Sequence, residues 1–236
     1  GDWPTISEGD FYESLTGVVG YSYGEFKLYP RNAGDIGGET GPTQLSIYDL
    51  QYTTEQGEYC YETPLAGQQV TTSGIVTHVK SADSPNFFLQ DPSGEYWSGI
   101  FVYDTLVVPS IGDELQITAN VNEWYSFTQL IDVVSHAVIS SGNNISPISV
   151  TASDIGIECS ESGEMYESML VSYTNITFES VDQFGNWTIS DDTGTAMVDD
   201  YYFDGDWPTI SEGDFYESLT GVVGYSYGEF KLYPRN

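Results

Sequence analysis

The chain has 236 residues, with 36 acidic side chains against five basic ones and a formal charge of −31. Phosphate binding depends on Lys and Arg displacing counterions, so this balance argues against a nucleic-acid partner. No run of about 20 apolar residues occurs, which argues against membrane insertion by a helix, while 39 % apolar and 15 % aromatic residues allow one large or two small cores.

Residues 1–32 read GDWPTISEGDFYESLTGVVGYSYGEFKLYPRN, and residues 205–236 repeat those 32 letters without change. Such agreement means a recent duplication, an engineered addition, or two views of one repeating unit. Without the first copy's five acids and two bases, 31 acids and three bases remain, a charge of −28. That suits a soluble protein outside the cell, where divalent cations screen carboxylates; plain solubility is the competing explanation. The chain starts inside a β pattern, as expected of a mature protein or of a piece of a longer one, and no signal peptide is visible.

After the first copy, Ala33–Pro42 is Gly-rich and reads as a linker, residues 33–43. No helix longer than two turns is expected. QQVTTSGIVTHVKS, from Gln68, reads as a long strand with a bulge or bend at Gly74. PNFFLQDPSGEYWSGIFVYD reads as a hairpin turning at Asp91–Gly94. GDELQITANVNEWYSFTQLI supplies another strand pair around Asn122–Glu123, and DVVSHAVIS a short last strand.

The order then recurs: ESMLVSYTNITFES as a long strand, GNWTISDDTGTAMVDDYYF as a hairpin turning at Asp191–Gly194, and EGDFYESLTGVVGYSYGEFKLYPR as the next pair. Gly112-Asp113 aligns with Gly213-Asp214, Thr118 with Thr220, and YSFTQL from Tyr125 with YGEFKL from Tyr227. The chain thus divides into residues 1–32, a linker at 33–43, and two diverged units at 44–145 and 146–236. Five or so strands in each unit predict an all-β fold: two tandem five-stranded barrels of the OB type, preceded by a half-barrel completed by a neighbouring copy. A sandwich is the alternative architecture.

SIYDLQYTT, GQQVTTSGIVTHV, FFLQDPSGEYWSGIFVYD, IGDELQITANVNEWYSFTQL and YSYGEFKLYPR together resemble OB-fold domains of secreted bacterial multidomain surface proteins. Such domains also occur beside extracellular nuclease domains. The resemblance covers roughly residues 44–236 and implies the fold and an extracellular or cell-surface location. It implies little about activity, because these modules are accessory parts.

The sequence lacks a nucleophile elbow, an H-E-x-x-H pair, a Walker loop and a C-x-x-C pair. His78 and His136 are the only candidates for a neutral-pH base; each sits in a strand pattern and reads as structural or exposed rather than catalytic. No cofactor and no enzyme activity are expected. Asp199, Asp200 and Asp204 crowd one connection with Asp206, and they are the first candidates for calcium ligands. Asp91, Glu95, Asp191 and Asp192 read as turn residues. Cys60 and Cys159 precede the long strand of their respective units and are expected to form a disulfide, with two buried free thiols as the alternative. Asn144, Asn175 and Asn186 stand in glycosylation sequons. Alternating Tyr and Trp in EWYSF and YSYGEFKLY must leave some rings outward, to stack on sugars or to anchor a protein neighbour.

Residues 1–32 repeat the final strands of the second unit without its first half. An isolated hairpin is marginal in water, so the expected partner is a copy of 165–204 from a neighbour. Phe11, Leu15, Val18, Val19, Tyr21, Tyr23, Phe26 and Leu28 are the expected assembly contacts. The functional expectation is a non-catalytic secreted structural protein, repeating head to tail with copies of itself in a filament or stalk. A glycan-binding accessory module of a surface enzyme is the alternative, and the nucleic-acid-binding arm of an extracellular nuclease is the weaker third.

Overall fold

A computed structural model describes residues 12–39, 42–81, 84–103, 107–203, 205 and 207–235. It separates into two units, Gly1–Thr43 and Gln44–Asn236. The structure is mostly β, with half its residues in strands.

In the first unit, β1 (Tyr12–Leu15) pairs antiparallel with β4 (Ile36–Glu39), and β2 (Val18–Ser22) pairs with β3 (Glu25–Tyr29). The segment that reads as a linker is therefore partly structured. Ala33–Asp35 forms a 3₁₀ turn that runs directly into β4. Asp35 is the cause: its carboxylate accepts from the Arg31 backbone N–H at 2.7 Å and from the Arg31 Nε and Nη2 at 2.8 and 2.7 Å. Asn32 Oδ1 accepts from Gly34 N at 2.9 Å and starts the turn.

β5 (Thr43–Gln44) spans the division between the units, and α1 (Ile47–Gln51) follows it. The second unit continues with β6 (Gln69–Ser81), β7 (Ser84–Gln90), β8 (Gly99–Tyr103), β9 (Glu114–Glu123) and β10 (Thr128–Ser140). The strand order is β5-β6-β7-β8-β10-β9, and β9 pairs back onto β6. This closes a five-stranded barrel. Alternate residues of β9, Leu115, Ile117, Ala119 and Val121, point into its core, as a strand with one buried face requires. Gly74 pairs regularly with Leu115, so it is no bulge. It sits where β6 passes from β9 to β7, and a Cβ there would meet Ile47 Cδ1 of α1 at 2.9 Å.

DVVSHAVIS is the second half of β10 rather than a separate strand. The ladder to β9 shifts register between Ile131 and Ser135, and Asp132 takes φ 51° at that bulge.

The chain then supplies β11 (Ile148–Val150), α2 (Ala152–Ile155), α3 (Glu161–Glu164) and β12 (Leu170–Val181). The last strands are β13 (Trp187–Ser190), β14 (Thr195–Val198), β15 (Phe215–Ser226) and β16 (Glu229–Pro234). Their order is β11-β12-β13-β14-β16-β15, with β15 pairing back onto β12. The helices are four or five residues long, within the two-turn limit expected.

The aligned residues do equivalent jobs in the two sheets. Asp113 caps Ser110 N through Oδ2 at 2.9 Å, and Asp214 caps Ser211 N at 2.8 Å. Thr118 bonds Thr71 across the first sheet at 2.8 Å, and Thr220 bonds Ser172 across the second at 3.0 Å. Ser46 with Asp49 and Thr151 with Asp154 cap the short helices that precede each long strand.

The two sheets of this unit share a core. Phe88, Phe101 and Phe127 of the first pack with Tyr173, Tyr202 and Phe230 of the second. Gln90 Oε1 accepts from Leu170 N at 2.8 Å, and Trp97 N donates to Met165 O at 2.9 Å. Gly99 is essential to this contact, since a Cβ there would stand 2.3 Å from the Ser168 carbonyl carbon. Cys60 and Cys159 form the expected disulfide across the sheets, with Cα atoms 5.4 Å apart.

Candidate functional site

The duplicated segment folds twice into one hairpin. Val18↔Tyr29, Val19↔Leu28, Gly20↔Lys27, Tyr21↔Phe26 and Ser22↔Glu25 repeat as Val222↔Tyr233, Val223↔Leu232, Gly224↔Lys231, Tyr225↔Phe230 and Ser226↔Glu229. The turns agree as well: Tyr23 and Gly24 have φ 55° and 84°, Tyr227 and Gly228 55° and 85°. A two-residue turn with both central φ values positive suits the twist of a hairpin, and Gly tolerates it without strain. Ser22 Oγ lies 2.8 Å from Tyr29 Oη, and Ser226 Oγ lies 3.3 Å from Tyr233 Oη. The local sequence is therefore sufficient for this hairpin.

Burial separates the copies. Val223, Tyr225 and Phe230 are 1, 4 and 0 % exposed; their twins Val19, Tyr21 and Phe26 are 66, 66 and 79 % exposed. Leu15, Val18 and Leu28 are also exposed, whereas Val222 and Leu232 are buried and Leu219 packs partly buried against the core. Lys231 lies buried with its Nζ 3.4 Å from Asp199, while Lys27 Nζ lies 3.9 Å from the exposed Glu25 and over the Tyr23 ring. The burial around the second copy comes from β12, β14 and the first sheet: Ser168 N donates to Val223 O at 2.7 Å, Tyr225 Oη to Tyr59 O at 3.2 Å, and Arg235 Nη1 to Thr77 O at 3.1 Å.

Two expected contacts are corrected by this comparison. Tyr227 is exposed at the turn, so its twin Tyr23 is no core anchor. Phe215 is exposed at the start of β15, before the region that β16 covers. Its twin Phe11 lies outside the described residues. The sequence reading missed the Tyr29–Tyr233 pair of twins, since Tyr233 is buried in the second sheet. Alternation gave no signal for it, because Tyr233 lies on the face of β16 opposite Phe230 and Leu232, and this strand is buried on both faces.

A second feature was not anticipated. Glu123, Glu164 and Glu167 are buried or nearly so around the contact of the two sheets. Glu123 Oε1 accepts from Thr63 N at 2.8 Å and Thr128 Oγ1 at 2.7 Å; Glu167 Oε1 accepts from Thr128 N at 3.1 Å. Among the described residues, Glu123 Oε2, Glu167 Oε2 and both oxygens of Glu164 find no hydrogen-bond partner. Burial pushes Glu123 up to about 7. Burial and then the charge of Glu123 push Glu164 up to about 9, and burial with the charges of Glu164 and Glu123 raises Glu167 well above its ordinary value. Burial thus favours the protonated form of Glu164 and Glu167 at neutral pH, with Glu123 near its midpoint.

The remaining candidates are dispersed. Asp199 accepts from Lys231 Nζ and from Tyr201 N at 2.9 Å, Asp200 is exposed, and Asp204 lies outside the described residues. Among the described residues, no group of three or more His, Cys, Asp or Glu is placed to hold a metal ion. Asp91 and Asp191 serve their turns, accepting from Ser93 N at 2.8 Å and Thr193 N at 2.7 Å. His78 is buried between the sheets with Nε2 2.9 Å from Tyr202 O, and His136 is exposed on β10. Asn144 and Asn175 are exposed; Asn186 is buried and its Nδ2 donates to Asp182 Oδ2 at 2.9 Å. Among the described residues, no helix is long and apolar enough to cross a membrane.

A cleft of about 510 Å³ opens where the sheets meet, walled by Phe101, Tyr103, Trp124, Tyr201 and Tyr227, with Gln129 as a polar member. Its carboxylate, Asp199, is paired with Lys231. No family model matches the chain, and no curated protein matches it.

Proposed function

We propose that this chain is a non-catalytic structural unit of an extracellular assembly, joined head to tail by β-strand completion. Both sheets of Gln44–Asn236 are read as OB-type barrels, as in the secreted bacterial surface proteins that the sequence resembles. The parallel pairings β8–β10 and β14–β16, and the return of β9 to β6 and β15 to β12, support that reading. In the assembly, the hairpin of residues 12–32 takes the place in a neighbour's second sheet that residues 216–236 fill in this chain.

One observation carries the reading: a single sequence folds into one hairpin twice, buried in one place and bare in the other. A bare hairpin with Val19, Tyr21, Phe26 and Leu28 on one face is a contiguous apolar surface on an acidic protein, the mark of a docking face. Each of these side chains gains about 1.5–3 kcal/mol on full burial. Lys27 would meet the neighbour's Asp199, as Lys231 does here. Light scattering and negative-stain microscopy of the full chain test the reading. Concentration-dependent linear particles are expected, and Val19→Asp should leave monomers. A chain that stays monomeric at high concentration overturns it.

A second reading rests on the aromatic cleft. Ring faces with an amide at hand and a neutralised carboxylate suit a neutral sugar, so the chain serves as a glycan-binding accessory module. Binding to a glycan array, lost in Trp124→Ala, would favour that reading; an empty array would remove it.

A further inference from the structure

The second half of β10 runs with a strand on one side only. β8 pairs with β10 along Gln129–Ile131, and the bulge at Asp132 ends that pairing. Beyond it, Ser135–Val138 keep β9 on one edge, and among the described residues nothing pairs with the other.

The ladder shows which residues address the free edge. In a hydrogen-bonded antiparallel pair a residue sends its N–H and C=O to the same edge, and the edges alternate along the strand. Val121 of β9 addresses β6: its N–H donates to Gln68 O and its C=O accepts from Gly67 N, both at 2.8 Å. The β6–β9 register is regular from there, so even-numbered residues of β9 address β10. Among them, Thr118 and Gln116 pair with Ser135 and Ala137. His136 and, by alternation, Val134 and Val138 therefore send their backbone groups outward.

This edge carries none of the usual protection against pairing. Val133–Ile139 holds no Lys, Arg, Asp, Glu, Pro or Gly. Val134, His136, Val138 and Ile139 are exposed. Residues 133–153 contain no acidic side chain, in a chain that has 36. Two copies of so acidic a protein repel over most of their surface, and here two backbones can meet without carboxylates between them. The segment also suits itself. Turned antiparallel about His136, it sets Val134 against the second copy's Val138, His136 against its own twin, and Asp132 against Ser140. Every outward residue then meets another outward residue, giving roughly six backbone hydrogen bonds, and no two carboxylates face each other.

We infer that the free edge of β10 at Val134–Val138 pairs antiparallel with the same edge of a second copy of this chain, across a two-fold axis at His136. The contact is independent of head-to-tail strand completion, which uses other strands. It is also small, far short of the about 20–30 residues a side of a standard interface. Isolated chains should therefore pair with a dissociation constant of about 0.1 mM. Along linear particles the same contact repeats and holds two of them side by side.

The experiment uses the full chain carrying Val19→Asp, which stops linear growth. Between about 10 μM and 1 mM, sedimentation should show monomers giving way to dimers, and exchange at the His136 and Val138 amides should slow at least threefold. The Ser135 and Ala137 amides, already bonded to β9, should not change. His136→Pro removes an outward N–H and no bond to β9, so it should keep the melt and lose the dimer. His136→Glu and His136→Lys should each stay monomeric, because like charges would face each other, and their mixture should pair. This charged pair decides the matter even where proline disturbs the strand. Monomers at the higher concentration overturn the inference, as does a dimer that survives His136→Glu or a mixture that fails to pair. Slowed exchange at Ser135 in place of His136 overturns it too. Oligomers larger than dimers would put a different segment of the second copy on this edge and overturn the two-fold.

Discussion

The hairpin at Val18–Tyr29 and the hairpin at Val222–Tyr233 are chemically the same object in two environments. Register, turn and the serine–tyrosine contact agree, so those belong to the local sequence. Burial differs from nearly nothing to nearly everything, so it belongs to the partners. The lesson is general for strands: alternation of apolar residues specifies which face will be buried, and only a second element decides whether it is.

The strongest way to break this comparison is a charge in each copy at the same position. Val223→Asp places an unpaired carboxylate in the core beside β12, and should cost more than about 4 kcal/mol. Loss of the cooperative melt or of soluble protein is the expected outcome. Val19→Asp alters an exposed face and should change the melt by less than about 0.5 kcal/mol, while abolishing assembly. Equal destabilisation by both changes would mean that the first copy is already packed in the isolated chain.

Next is the disulfide, which tethers the two sheets that bury the second copy and leaves the first untouched. Its loop spans 99 residues of sequence separation, worth up to about 4.7 kcal/mol in the chain-entropy model. Reduction, or the double change to Ala, should lower Tm of the Gln44–Asn236 unit. It should leave the exchange rates of the β2–β3 amides unchanged. A calorimetric scan with and without reductant, paired with exchange data, checks both halves.

The lysines sharpen the contrast further. Lys231 is buried against Asp199 and Glu229, so removing the ammonium leaves a carboxylate short of its partner. Lys231→Met should cost about 3 kcal/mol. Lys27→Met removes a solvated pair and should cost nothing measurable by urea denaturation, yet it should weaken assembly if Lys27 meets a neighbour's Asp199.

Much of this architecture was legible in the sequence. The long strands, the Asp-initiated turns at Asp91 and Asp191 and the Cys60–Cys159 pairing follow from alternation, turn chemistry and the recurring order of elements. Thr118 and Thr220 aligned correctly because each meets a hydroxyl across its sheet. What was misread depends on tertiary contact. Gly74 read as a bulge or a bend; the regular ladder excludes the bulge, and the glycine marks the close approach of Ile47. Ala33–Gly38 looks like a linker because its glycines carry no side-chain pattern, yet Asp35 and Arg31 fold it back into β4. The burial of Glu123, Glu164 and Glu167 was not read from the sequence, since burial of an acid has no signature in composition.

Those carboxyls give the most specific test, because the two environments should respond to pH in opposite directions. In the Gln44–Asn236 unit, burial raises Glu123 to about 7 and Glu164 to about 9, above the ordinary value of 4.5. The folded state therefore holds protons that the unfolded state releases. This stability is fully present below about pH 4.5 and is lost as pH rises through 7 towards 9, at up to about 1.4 kcal/mol per pH unit for each group. In the first unit, the hydrogen bonds from Arg31 hold Asp35 down to about 2, against 3.8. Its contribution is present above about pH 4 and is lost as pH falls towards 2. Calorimetry from pH 4 to 9 should show Tm of the larger unit declining with pH, and Glu164→Gln should flatten the decline. The NMR shift of the Arg31 Nε–H should stay constant over that range and move only in acid. A larger unit whose Tm rises from pH 5 to 8 would show that the three carboxyls are ionised and solvated, and that the cradle around the buried copy is looser than the packing of Tyr225 against Tyr59 requires.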